Sequence, residues 1–288
     1  MSSTFWSNTI WYLLLLLTSI IAIFLSLYKA RNPKFTIAFL FSVIGLTFLL
    51  EAVLVIALKA YIYHPKIVSD SFLDSVFGNY FSQISISSTS VLITIFNLSS
   101  LWYFVFALIY YLIEELFIKL GIYEHFWYKS IYTSIGLIPL FWFIKNWYRK
   151  RKDSVSYFVN YVSLFLSVFA LNSVTIILSQ RLLGIQIFKG NFFTEMSKDH
   201  TTGIVYQLIL INILIILYES RLHWVKKAMI FLCLFIVQYL LYNAGYIYIS
   251  NGWFFAVTIL DLFGCYCWIA TFHYLYKQYS MDKHIAAI

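Results

Sequence analysis

Three carboxylic acids interrupt runs of the chain that are otherwise apolar. Glu51 stands among Leu49, Leu50, Ala52 and Val53, and Asp261 lies eight residues after Trp253 in another such run. Glu114 follows Tyr110, Tyr111 and Ile113 and has no basic residue three or four positions away on either side. Carboxylates in hydrocarbon are costly, so they face a bundle interior or water and mark candidate sites. Gln238 and Asp74 complete the set of candidate ligand-binding residues, the first by its place in an internal repeat described below. Asp74 belongs to it as an acid in a Ser-rich stretch that also holds Asn79 and Gln83. Acids of this kind can hold a cation or the polar head of an amphiphile. Alternatively, a neutral carboxylic acid and a carboxylate can share general acid and base work on a lipid. His125 and His200 add imidazoles, but no H-x3-H or E-x2-H spacing sets two ligands on one helix face, so neither a metal centre nor a cofactor is expected.

The elements that position these residues follow from composition. Of 288 residues, 62% are hydrophobic and 11% charged, well below the roughly 25% charge of soluble domains. At about 20 apolar residues per crossing, the chain is an all-α polytopic membrane helix bundle with room for about nine transmembrane helices. Eight runs are plain: 10–28, 35–58, 101–118, 131–147, 155–178, 204–218, 228–249 and 253–276. A ninth span, the polar stretch Phe72–Phe96, reconciles the count with the basic residues. It puts Lys29, Arg31, Lys34, Lys145, Arg149, Lys150, Arg151, Lys152, Arg221, Lys226, Lys227, Lys277 and Lys283 on one side. Basic loops stay cytoplasmic, which orients the protein in a cell membrane with its N-terminus outside and its C-terminus inside. The net charge of +8 therefore reflects topology, and no nucleic-acid partner is expected. The first run has no basic residue before it and no small-residue cleavage site, so it reads as a retained span. Nine of the twelve acids, Glu51, Asp70, Asp74, Glu114, Glu115, Glu124, Glu195, Asp199 and Asp261, fall toward the outer side.

The chain also carries a weak self-similarity. The segment Ile113–Gly121, IEELFIKLG, aligns with Val237–Gly245, VQYLLYNAG, so that Glu114 corresponds to Gln238, and a Trp follows each copy. A single integral membrane domain is therefore expected to hold an extra N-terminal span (1–34) and two parallel four-helix repeats, 35–152 and 153–288. Parallel repeats in transporters frame sites at their interface.

The stretch Leu101–Arg151, with Glu114, Lys119-Leu120-Gly121, His125 and Trp127, resembles a family of small multi-spanning membrane proteins from spore-forming Firmicutes. That family carries a Glu seven residues before the Gly of a Lys-Leu-Gly triplet, then a His and a Trp, then a span with a basic end. The chain departs from it in the following loop, where His125-Phe126-Trp127 replaces the family's usual His-Asn-Gly-Trp, and Asn251-Gly252-Trp253 stands in the second copy. The resemblance implies a bacterial membrane architecture and no particular chemistry.

Three functions fit these residues. The first is binding or translocation of a small amphiphile or cation in an outward-facing acidic cavity lined by Glu51, Glu114, Asp261, Gln238 and Asp74. The second is a structural or assembly role in the cell envelope. The third is an intramembrane enzyme that modifies a lipid or isoprenoid. Membrane lipids are the common partner of all three, and the first adds a small-molecule ligand.

Overall fold

Asn32 and Pro33 begin the second long helix of this chain, and Asp70 begins the third. The Asn32 side chain accepts the N–H of Phe35 at 3.0 Å, and the Asp70 carboxylate accepts that of Leu73 at 2.7 Å. Each cap satisfies a donor that the first helical turn leaves open, and Pro33 occupies the position where its missing N–H costs nothing. A computed structural model describes residues 4–153, 156–176, 182–189 and 198–285. Their order is α1 (Ile10–Lys29), α2 (Pro33–Glu51), β1 (Tyr61–Tyr63), α3 (Ser71–Ile95), α4 (Leu101–Lys119), β2 (Tyr123–His125), α5 (Ser130–Asp153), α6 (Tyr157–Ile176), β3 (Gln186–Phe188), α7 (Lys198–Glu219), α8 (Trp224–Asn243), β4 (Ile247–Ile249), α9 (Phe254–Ile259) and α10 (Cys265–Ile285). π-helical turns extend α2 over Ala52–Ala57 and join α9 to α10 over Leu260–Gly264. The fold is a helical membrane bundle: among the described residues, seven helices are long and apolar enough to cross a bilayer. These are Phe5–Lys29, Pro33–Ala57, Leu101–Lys119, Tyr157–Thr175, Thr201–Glu219, Trp224–Asn243 and Phe254–Lys277.

The chain forms two compact units, Met1–Val162 and Ser163–Ile288. In the first, β1 and β2 pair antiparallel with Tyr61 opposite His125 and Tyr63 opposite Tyr123. These three-residue strands were not expected from the sequence and lie in the loops between its helical runs. Gly121, at φ 68°, ends α4 in a left-handed turn that few other residues adopt. Its N–H donates to Ile118 O, and the N–H of Ile122 donates back to Phe117 O, which caps the last carbonyls and turns the chain into β2. The N-terminal end of α1 sits at the same end of the unit, where Tyr12 donates through its hydroxyl to Ile122 O at 2.6 Å and Asn8 donates to His64 O at 2.8 Å. At the opposite end, Lys145 and Arg149 of α5 donate to Leu98 O and Asn97 Oδ1 in the turn between α3 and α4. Arg151 lies over the ring of Phe35 at the start of α2.

The Ser-rich α3 is buried along much of its length and exchanges hydrogen bonds with α2 and α4. Ser87 meets Thr47 of α2 at 3.1 Å, and Ser85 and Thr89 each meet the Tyr110 hydroxyl of α4 at 2.9 Å. Such contacts bind helices together where lipid leaves no hydrophobic driving force. Ser88 and Ser90 instead return their hydrogens to carbonyls of α3 itself.

The second unit pairs β3 with β4, Gln186 opposite Ile249 and Phe188 opposite Ile247. Gly245, at φ 78°, ends α8 as Gly121 ends α4: its N–H donates to Tyr242 O, and that of Tyr246 donates to Leu241 O.

Candidate ligand-binding cavity

Helices α2 to α5 and the β1–β2 ribbon line a cavity of about 420 Å³ in the first unit. Its volume is that of a pocket for a small organic molecule. Leu50, Leu54 and Ile86 supply apolar wall, and both Glu51 and Glu114 line it. Gly136 of α5 contributes to its room, since a β-carbon built there would meet nothing within 4 Å.

Glu51 ends α2 where the π-helical turn begins, and only 6% of it is exposed. Its Oε1 accepts the Tyr61 hydroxyl at 2.6 Å and the side-chain amide of Gln83 from α3. Its Oε2 is buried and has no hydrogen-bond partner among the described residues. Glu114 repeats this pattern. His125 of β2 approaches Glu114 Oε1 through Nε2 at 3.0 Å, and Glu114 Oε2 is buried without a partner among the described residues. The two carboxyl groups are close enough to interact electrostatically. Each glutamate thus has one oxygen held by protein and one left open, although buried acceptors are ordinarily paired.

Above the acids the ribbon forms a wall of aromatic rings. Tyr61 meets Tyr123 and Tyr128 edge to face at 5.2 and 5.0 Å, and Tyr63 stacks on Tyr123 at 4.7 Å. Burial, joined by the charges of Glu114 and Glu51, pushes the Tyr128 phenol up to about 12. Burial also raises Tyr61, Tyr63 and Tyr123 well above the ordinary value. These phenols therefore remain neutral over the physiological range, and their rings line the cavity with the two carboxyl groups, Tyr61 with its hydroxyl on Glu51. Ring faces of this kind attract cations, most strongly when the cation is desolvated.

The five sequence-selected residues take three places. Glu51 and Glu114 share the cavity. Asp74 holds the loop before α3, where Oδ1 accepts the N–H groups of Ile67 and Val68 and Oδ2 that of Lys66. Gln238 and Asp261 belong to the second unit, where Gln238 donates to Asp261 Oδ2 at 3.1 Å and Gln186 of β3 donates to the same oxygen at 3.4 Å. Tyr61, Gln83 and His125 hold the cavity acids but were not among the candidates. Their own polarity was the available signal, and the contacts join residues 10, 32 and 11 positions apart. Glu195 lies outside the described residues, and so does the side chain of Asp199. Among the described residues, no three His, Cys, Asp or Glu side chains group closely enough to hold a metal ion. No protein-family pattern, characterised protein sequence or solved structure matches the chain.

Proposed function

We propose that this membrane protein binds a small amphiphile bearing a positive charge, its charged group between Glu51 and Glu114 and its apolar part against α2 and α5. The observation that carries this reading is that Glu51 and Glu114 line one cavity with a tyrosine wall, each with a buried carboxylate oxygen that has no hydrogen-bond partner among the described residues. An ammonium group satisfies both features, because carboxylate and ring face favour the same charge. A purely structural role would leave those two oxygens without a reason. Uptake or export of the same compound is the natural extension of binding in a bundle of this kind.

The reading includes nine crossings with the N-terminus outside. β1 precedes α3, β2 follows α4, and the two strands pair, so the chain returns to the end from which it left. Since α4 is long enough to cross, α3 must cross in the opposite direction. Its 25 residues span about 37 Å at 1.5 Å per residue. α5 leaves the ribbon end and reaches the turn at Asn97, which supports a further crossing. The basic residues Lys145, Arg149 and Arg151 gather at that far end, which makes it the cytoplasmic side and opens the cavity end outward.

It also includes the internal duplication. The hydrogen bonds Gly121 to Ile118, Ile122 to Phe117, His64 to Ile122 and Phe126 to Ala60 recur as Gly245 to Tyr242, Tyr246 to Leu241, Lys189 to Tyr246 and Ser250 to Ile185. In this correspondence Glu114 matches Gln238. The resemblance to Firmicutes membrane proteins over Leu101–Arg151 agrees with a bacterial envelope setting.

Binding is tested by isothermal titration of the purified protein with alkyltrimethylammonium ions and with alcohols of equal chain length. The ammonium ions should bind and the alcohols should not, and Glu51→Gln and Glu114→Gln should each weaken binding about tenfold or more, a loss of roughly 1.4 kcal/mol. Equal binding of ammonium ion and alcohol would overturn the proposal.

A further inference from the structure

The cavity of the first unit is open on one side. Leu50 of α2 and Tyr132 and Phe143 of α5 line it, yet they are 47%, 45% and 48% exposed. Gly136 and Pro139 belong to the same lining and are exposed as well. Steps of four, three and four residues put Tyr132, Gly136, Pro139 and Phe143 on one face of α5. Leu46, Leu50 and Leu54 form a second row, four apart along α2 and its π-helical turn. At the end away from the ribbon the two helices touch, where Phe39 meets Trp147 and Tyr148, each at 5.1 Å. Nearer the ribbon they border a slot whose rim carries no charge.

Leu50 lies in Pro33–Ala57, a segment long and apolar enough to cross a bilayer. Exposed apolar side chains on such a helix meet lipid. From Tyr132 to Phe143, α5 rises about 16 Å at 1.5 Å per residue, close to one leaflet of a hydrocarbon core about 30 Å thick. The slot thus has the length of an extended chain in a single leaflet. Its cavity, at about 420 Å³, stands near the low end of the range for organic ligands, about 300–1,000 Å³, and has room for a head group and a short length of chain. No Lys, Arg or His lines it among the described residues, so a phosphate there would lie beside Glu51 and Glu114 with nothing to balance it. A single cationic head on one apolar chain fits where a phospholipid does not.

We propose that the ligand is a long-chain amine or quaternary ammonium dissolved in the bilayer, which enters sideways between α2 and α5. Its head group stops at the two glutamates, and its chain lies through the slot in the leaflet on the ribbon side. The inference rests on the amphiphile reading and adds to it a route and a class of molecule.

The test uses dodecyltrimethylammonium with a photoactivatable diazirine at the far end of its chain, added to phosphatidylcholine vesicles that hold the full-length protein. Adducts are mapped by mass spectrometry with and without excess butyltrimethylammonium, whose short chain competes for the head-group site alone. Labelling that the competitor suppresses should fall on the slot rim, at Leu50, Pro139 or Phe143. Glu51→Gln and Glu114→Gln should each lower that labelling about tenfold. Suppressed adducts confined to the buried floor of the cavity, at Ile86, Tyr110 or Phe117, would overturn the sideways route and leave the amphiphile reading standing. No suppressed adduct at all, or labelling unchanged in both glutamine variants, would overturn the reading and this inference together. The position of the adducts in the wild-type protein decides the route whether or not the variants fold.

Discussion

Gly78 of α3 lies directly against Tyr63 of β1, so closely that a β-carbon on Gly78 would stand 2.5 Å from that of Tyr63. The contact seats the tyrosine ribbon on the helices. The second unit repeats it with Gly203 and Phe188, where the added carbon would stand 3.1 Å from the ring. Gly78→Ala should therefore destabilise the protein by about 1–3 kcal/mol through overpacking. Gly203→Ala should cost less, because a ring edge can shift by a few tenths of an ångström where a β-carbon cannot. Thermal unfolding of the two variants checks the order.

Gly136 offers the opposite case. It is helical and open toward the cavity, so Gly136→Ala should stabilise the protein by about 0.5–1 kcal/mol, the helix preference of Ala over Gly. Gly136→Phe should keep the fold and fill the cavity. Titration of that variant with an alkyltrimethylammonium ion should show binding abolished, while its unfolding midpoint stays near that of wild type.

Asp74 anchors the loop at Lys66–Val68 by accepting three backbone N–H groups. Asp74→Ala removes their acceptor and should cost about 1–3 kcal/mol. Hydrogen exchange should speed up at residues 66 to 68, and ammonium binding should fall little, since Asp74 does not line the cavity. A loss of binding as large as that of Glu51→Gln would assign Asp74 to the site instead.

Alkaline pH should weaken the first unit. The Tyr128 phenol ionises near 10 in an unfolded chain and near 12 when folded, so folding favours its neutral form. That contribution is complete below about pH 10 and is lost as pH rises toward 12. Tyr61, Tyr63 and Tyr123 shift in the same direction. Spectrophotometric titration should find a set of phenols that ionise only with loss of structure, and Tyr128→Phe should reduce the pH dependence of stability above 10.

Reporters fused after Phe96 and after Lys152 should both lie in the cytoplasm if α3 and α5 cross the membrane. An external reporter after Lys152 would remove the nine-span topology.

Much of the fold was legible along the chain because lipid imposes a local rule. A span needs a continuous apolar run, and the runs ending near Lys29, Lys119 and Glu219 are helices long enough to cross. Glu51 and Glu114 stood out for a related reason, as acids where acids are costly. The role of Asp74 was not legible, since a carboxylate that caps a loop and one that meets a ligand look alike in sequence. Nor was the ribbon: three-residue strands carry too little alternation to register, and Tyr61–Tyr63 gains its partner from Tyr123–His125, some sixty residues away.

The amino-acid sequence by itself determined that this is a helical membrane protein with a few acids set in apolar helices, because hydrophobic burial reads residue by residue. Which acids meet was decided only by the tertiary structure. Glu51 and Glu114 share a cavity because α2 and α4 pack under one ribbon, and Asp261 meets Gln238 and Gln186 because a helix, a π-turn and a strand converge. Those meetings depend on contacts between distant segments, for which one-dimensional periodicity holds no signal.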